Sequence, residues 1–277
     1  MIRTRKSPLS QGEFIAMIAM MFATIAFSID AMLPALPDIG ATLSPDDTNR
    51  AQLIVTSFVL GMGCGTFFTG PLSDAFGRKP VIFVGSSLYC LGALAAYFSQ
   101  SLETILISRV LMGLGAAAPR VVAIAIVRDL YVGRDMARIM SLVMMIFTLV
   151  PAFAPLLGTG IIAISDWRGI FAAFAIFSVI TVVWMGFRLV EPLKKEDRRP
   201  LRLPQMLAAL REMVNHPTVR LSILAQTFCM AMLFTIIVMV QPAYDEVFDR
   251  AESFPVWFMI VALMAGTASF LNASLVG

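Results

Sequence analysis

Charge, histidine and cysteine are all scarce in this chain. Of its 277 residues only 14% are Asp, Glu, Lys or Arg, against roughly a quarter in an ordinary soluble domain. There is one histidine, His216, in a polar stretch, and the three cysteines, Cys64, Cys90 and Cys229, sit singly inside apolar runs. One histidine without a cysteine pair excludes the usual zinc or iron ligand sets. The scattered cysteines read as small core residues, not as a disulfide framework. No metal and no cofactor is expected. Without a His/Asp or Cys/His constellation or a soluble catalytic insert, a membrane enzyme or sensor is the weakest functional class.

Apolar side chains make up 58% of the residues, and the mean hydropathy is +0.84. Stretches of about 20 apolar residues, enough to cross a bilayer core of roughly 30 Å, recur along the chain. They fall at 14–36, 51–72, 80–99, 104–127, 138–164, 168–188, 219–241 and 254–276. The pattern predicts an all-α membrane protein with eight spans. Pro34 and Pro37 are expected to end the first, and Gly77 and Pro80 mark the second turn. The N-terminus, with Arg3, Arg5 and Lys6, resembles a signal-peptide n-region, but the apolar run behind it is too long for a signal core, so it reads as an uncleaved first span.

The basic residues orient these spans. With the N-terminus inside, inner segments hold Arg3, Arg5, Lys6, Arg78, Lys79, Arg128, Arg134, Arg138, Arg188, Lys194, Lys195, Arg198, Arg199, Arg202, Arg211 and Arg220; outer segments hold only Arg50, Arg168 and Arg250. Such an asymmetry places the N-terminus in the cytoplasm of a plasma (inner) membrane protein. It also explains the net charge of +3 without nucleic acid. The polar stretch Arg188 to Arg220 separates six spans from two, and reads as a solvated linker, in preference to a lipid-binding segment. The expected organisation is a six-helix bundle over 1–188, a cytoplasmic linker over 189–218, and a further partial bundle over 219–277.

The turn after the second span reads Gly70-Pro-Leu-Ser-Asp-Ala-Phe-Gly-Arg-Lys-Pro-Val81. An ordinary basic inner turn explains Arg78 and Lys79 but not the ordered spacing of Gly70, Asp74 and Gly77. The segment resembles the signature loop of the major facilitator superfamily, departing from it at Ala75, where that family usually has arginine. The resemblance implies a loop that latches two halves of a transporter on the cytoplasmic side. A carboxylate such as Asp74 then faces a helix N-terminus, a favourable placement. Asp129, at the inner end of span four, is a candidate partner for Arg78.

Ionisable residues inside spans are costly and point to function. Asp30 lies in Phe27-Ser-Ile-Asp-Ala-Met-Leu-Pro-Ala-Leu-Pro37, on the outer half of span one, where a carboxyl shielded from water can carry a proton. Snorkelling to the outer interface is the plain alternative. Arg109 and Arg120 are 11 residues apart, about 20° in rotation and about 16 Å in height on a helix, so both are expected to face one groove. A structural ion pair is the competing explanation for Arg109, and pairing with Asp30 or a backbone group for Arg120. Span five carries Pro151, Pro155 and Gly158, which kink a helix and allow close approach.

These segments resemble the Bcr/CflA drug-resistance subfamily: D-x-x-L-P-A-L-P in span one, Arg109-Val-Leu-Met-Gly-Leu-Gly-Ala-Ala117 in span four with Met112 for a usual glutamine, and the antiporter motif of drug exporters in span five with Ala154 for a usual glycine. The resemblance implies a major facilitator fold and drug:proton antiport across the bacterial inner membrane. Asp30 then carries the proton, and Arg109 assists its transfer close to that acid. Arg120 is a candidate for attracting anionic substrate groups, with pairing to Asp30 or a backbone group as the alternative. Expected partners are a drug-like small molecule, protons and the bilayer, with the complete transporter a monomer. Export of a natural metabolite, an amino acid or peptide, is the alternative within transport. Complete members have twelve spans in two halves. The resemblance thus implies that these eight spans form the first bundle and two helices of the second, and that this chain alone does not transport.

Overall fold

Local chemistry sets the ends of the helices. The computed structural model describes residues 9–248, 250 and 253–276. It contains α1 Gln11–Asp30, α2 Leu36–Leu43, α3 Leu53–Phe76, α4 Arg78–Tyr97, α5 Leu102–Leu130, α6 Gly133–Ile164, α7 Trp167–Arg188, α8 Leu203–Asn215, α9 Pro217–Pro242 and α10 Phe254–Val276, with no strand among the described residues. Side-chain oxygens open three of them. Ser10 accepts from the amide of Glu13, Ser101 from that of Thr104, and Asp166 from that of Arg168, each quenching an amide the first turn leaves free. Gly77, at φ +105°, ends α3 and starts α4 in one residue, a backbone conformation that favours glycine.

Seven helical runs among the described residues are long and apolar enough to cross a membrane, and they fall on the first seven expected spans. α10 covers the eighth, with an apolar described part Phe254–Ala265; the side chains from Ala268 onward lie outside the described residues. Two expectations need correction. Pro34 and Pro37 do not end the first helical run, which continues to Leu43 after a break at Ala31 and Met32. Each proline sits in the first turn of a new helical piece, where its missing N–H is not needed. The stretch between spans six and seven is also not all linker, because it contains the 13-residue helix α8.

The chain divides into two compact units, one built on residues up to Arg198 together with those from Pro255, the other on Arg199–Phe254. In the first, α5 packs between α3 and α4, while α1 packs against α5, α6 and α7. A Cβ on Gly61 would come within 2.0 Å of the Val110 carbonyl oxygen, and one on Gly113 within 2.1 Å of that of Phe58. Backbones therefore touch along the α3/α5 seam, the close approach that small residues permit in membranes. Phe27 packs edge-on against Phe174, and Phe14 packs at a tilt against Tyr131. In the second unit α8 precedes α9 across His216 alone, and α9 runs into a π-helical turn at Ala243–Val247.

Candidate functional site

The break after α1 positions Asp30. It is the last residue of α1 and is 5% exposed, yet no hydrogen bond or ion pair involves its carboxylate among the described residues. Two residues earlier, Ser28 is the hub of a polar cluster. Its hydroxyl donates to the Thr24 carbonyl at 2.6 Å and shares a short hydrogen bond with the Tyr89 hydroxyl. Its carbonyl accepts from Nη2 of Arg109 at 2.9 Å.

Arg109 is completely buried. Its Nε donates to the Ile54 carbonyl at 3.1 Å, and its guanidinium lies 4.4 Å over the Phe58 ring and 5.9 Å from the Phe174 ring. Nη1 is buried without a partner. The cation is thus held by two carbonyls and two ring faces from α1, α3 and α7, and no ion pair joins it to Asp30 among the described residues.

The third motif meets this site from the other side. A Cβ on Gly158 of α6 would come within 2.2 Å of the carbonyl oxygen of Ala31, the residue that follows Asp30. Pro155 and Ala154 are buried in the same stretch, and Pro151 is half-buried. The Pro/Gly segment therefore presses on the helix break itself.

Arg120 does not share the groove with Arg109. It is exposed, touches the Met62 sulfur at 3.8 Å, and lines a cavity of about 490 Å³ with Gly70, Ser73, Asp74, Arg78 and Arg128. The projected angle between the two arginines is small, but different helices cover α5 at the two heights. A partnership between Arg120 and Asp30 does not occur.

At the Gly77 end of the bundle, the loop residues form one network. Arg78 is 3% exposed; its guanidinium donates to Ser73 at 2.7 Å, to Asp74 at 2.6 Å and to Asp129 at 2.7 Å. Lys79 donates to the carbonyls of Gly186 and Leu189, both at 2.8 Å, at the end of α7. A cation there complements the negative helix terminus. Glu191 completes the network, accepting from the backbone amides of Arg78 at 2.8 Å and Lys79 at 2.9 Å.

Sequence reading missed Ser28, Tyr89 and Glu191. Ser28 lay within the quoted first-span motif, and Tyr89 is a lone phenol in an apolar span; Glu191 is the first acid after Arg188. Glu191→Gln is expected to cost about 1 kcal/mol, as for a lost helix cap. Hydrogen exchange should then speed up at the amides of residues 78 and 79 while the α5 amides stay as protected as before. Unchanged exchange at both would remove the capping role.

Comparison with known proteins bears on the family and the fold. The chain is 30% identical over 266 residues to a bicyclomycin resistance protein homolog of Haemophilus influenzae, covering 95% of this chain and 66% of that protein. It is 32% identical over 163 residues to the multidrug resistance protein MdtL of Shigella flexneri, covering 59% of this chain and 41% of MdtL. An uncharacterized MFS-type transporter from Bacillus subtilis, YdgK, is 32% identical over 199 residues, which is 71% of this chain and 48% of that protein. The chain therefore spans less than two thirds of the length of each of these relatives. Among solved structures, the human organic anion transporter MFSD10 aligns with a TM-score of 0.70 at 16% identity, covering 94% of this chain and 71% of that one. A D-xylose-proton symporter aligns at 0.69 and 12%, covering 95% and 69%. The sequence profile of the Major Facilitator Superfamily matches residues 16–277, and the chain belongs to that family of membrane transporters.

Proposed function

We propose that the whole transporter exports drug-like amphipathic molecules in exchange for protons, by alternating access across the bacterial inner membrane, with its N-terminus in the cytoplasm. The observation that carries this reading is Asp30, a buried carboxyl without an ion-pair partner among the described residues, two positions after Ser28, whose carbonyl holds the buried cation of Arg109. A group so placed takes up and releases a proton at a point that helix movement can reach. Gly158, seated on the Ala31 carbonyl, gives a movement of α6 a direct path to that group. The drug-resistance names of the relatives support a drug-like substrate, and the basic bias of the alternate loops supports the orientation.

In this reading Asp30 binds proton and Arg109 responds to its charge. Arg120 draws anionic substrate groups toward the cavity, and Gly70, Asp74, Gly77, Arg78, Lys79 and Asp129 form the cytoplasmic latch. Residues 1–188 act as one bundle and 219–277 as part of the other, joined through 189–218. Protonation favours one access state and drug the other, so exchange is competition between them.

In inside-out vesicles carrying the whole transporter, Asp30→Asn is expected to abolish uptake driven by an imposed pH gradient. Drug binding at equilibrium should persist and lose its pH dependence. Gradient-driven uptake at the parental rate would reject Asp30 as the coupling group. A panel of drugs, amino acids and peptides in the same vesicles separates drug export from metabolite export.

A further inference from the structure

The helix α8 has no place in the transport reading. It contains Met206, Leu207, Leu210, Met213 and Val214, which fall within an arc of about 120° on a helix turning 100° per residue. Arg211, Asn215, Glu212 and Gln205 share the remaining circumference with Pro204 and two small alanines, Ala208 and Ala209. The apolar arc is not a core face: Leu207 is 65% exposed, Leu210 42%, Met213 52% and Val214 49%. At 13 residues the helix is about 20 Å long, too short to cross a bilayer core of roughly 30 Å.

Two observations identify what covers that face. One is position: His216 alone separates α8 from α9, a helix long and apolar enough to span the membrane. The end of α8 is therefore tethered to the membrane surface. The other is charge. Between residues 199 and 220 the chain carries Arg199, Arg202, Arg211 and Arg220, all exposed, against the single acid Glu212. A short helix with an exposed apolar face, a polar back and a basic surround fits the interface of an anionic bilayer. A helix of this length is marginal in water by itself, so burial of its apolar face also accounts for its persistence.

We infer that α8 lies in the membrane interface and binds an anionic lipid surface, with Met206, Leu207, Leu210, Met213 and Val214 in the acyl boundary and its arginines among the headgroups. This replaces the solvated linker expected from composition.

The test uses the full chain with its three cysteines replaced by serine, reconstituted in phosphatidylcholine vesicles with and without phosphatidylglycerol. Spin labels are placed by Leu207→Cys, Leu210→Cys and Glu212→Cys. In anionic vesicles, labels at 207 and 210 should collide more with oxygen than with a water-soluble nickel chelate, and the label at 212 the reverse. Removing phosphatidylglycerol should weaken that contrast. Arg202→Gln with Arg211→Gln should lower surface occupancy by roughly fivefold for each arginine lost. Hydrogen exchange of residues 203–216 in the unmodified chain provides a second reading, expected to slow when anionic lipid is present. Equal aqueous access at all three positions would overturn the inference. So would shielding of 207 and 210 from both reagents whatever the lipid, which would mark a face covered by another helix.

Discussion

Arg109→Met is expected to leave the bundle nearly as stable as the parent and to bring proton-driven transport down to the level of empty vesicles. The physical terms are large but opposed. Burying a guanidinium without a carboxylate partner costs several kcal/mol after relaxation. Against this stand two charge-assisted hydrogen bonds, to the carbonyls of Ser28 and Ile54, at about 1.5–3 kcal/mol each. The Phe58 ring below the cation adds about 2 kcal/mol once water is excluded. The Ile54 carbonyl keeps its own helix bond, whereas that of Ser28, in the last turn of α1, loses its partner at about 1–3 kcal/mol, a cost set against relief of the uncompensated cation. Methionine also fills most of the volume, which limits the cavity term. A thermal midpoint within a few degrees of the parent, together with lost transport, would establish that Arg109 is kept for coupling. A collapse in stability would establish that its role is structural.

Gly113→Ala is expected to be strongly destabilising for a single added methyl group. Its Cβ would lie 2.1 Å from the Phe58 carbonyl oxygen and 2.7 Å from the Met62 amide nitrogen. Both are backbone atoms of α3, so no side chain can rotate away. Ordinary contact requires the helices to separate by more than an ångström along a seam where Gly61 and Gly65 also touch α5. Overpacking of this kind costs about 1–3 kcal/mol or more, equivalent to roughly 2–4 °C per kcal/mol in a domain of this size. Gly63 supplies the control. It lies on α3, between Gly61 and Gly65, with nothing within 4 Å of its Cβ position. Gly63→Ala should therefore be neutral or slightly stabilising, by up to about 1 kcal/mol from helix propensity. Equal midpoints for Gly113→Ala and Gly63→Ala, measured by intrinsic fluorescence on heating, would contradict the backbone contact.

The spans and their order were legible in the sequence because crossing a bilayer is a requirement on length and composition, both of which are local. The residues that carry charge inside the spans were legible for a related reason: Asp30 and Arg109 are expensive wherever their helices pack, so their presence alone points to a task. Their partners were not legible. Periodicity placed Arg109 and Arg120 on one face of α5, but what covers a face changes with height. At Arg109 the neighbours are α1, α3 and α7, and at Arg120 there is an open cavity. Glu191 acquires meaning only when residues more than a hundred positions apart in sequence bring it to the first turn of α4. The α8 stripe had helical spacing throughout, and the surrounding arginines and prolines hid it. The sequence by itself determined a multi-spanning transporter with a costly acid in its first span. Tertiary structure alone decided that this acid has no ion-pair partner among the described residues and that Arg109 is held by backbone carbonyls, because helix rotation and contact height are settled only when the helices pack together.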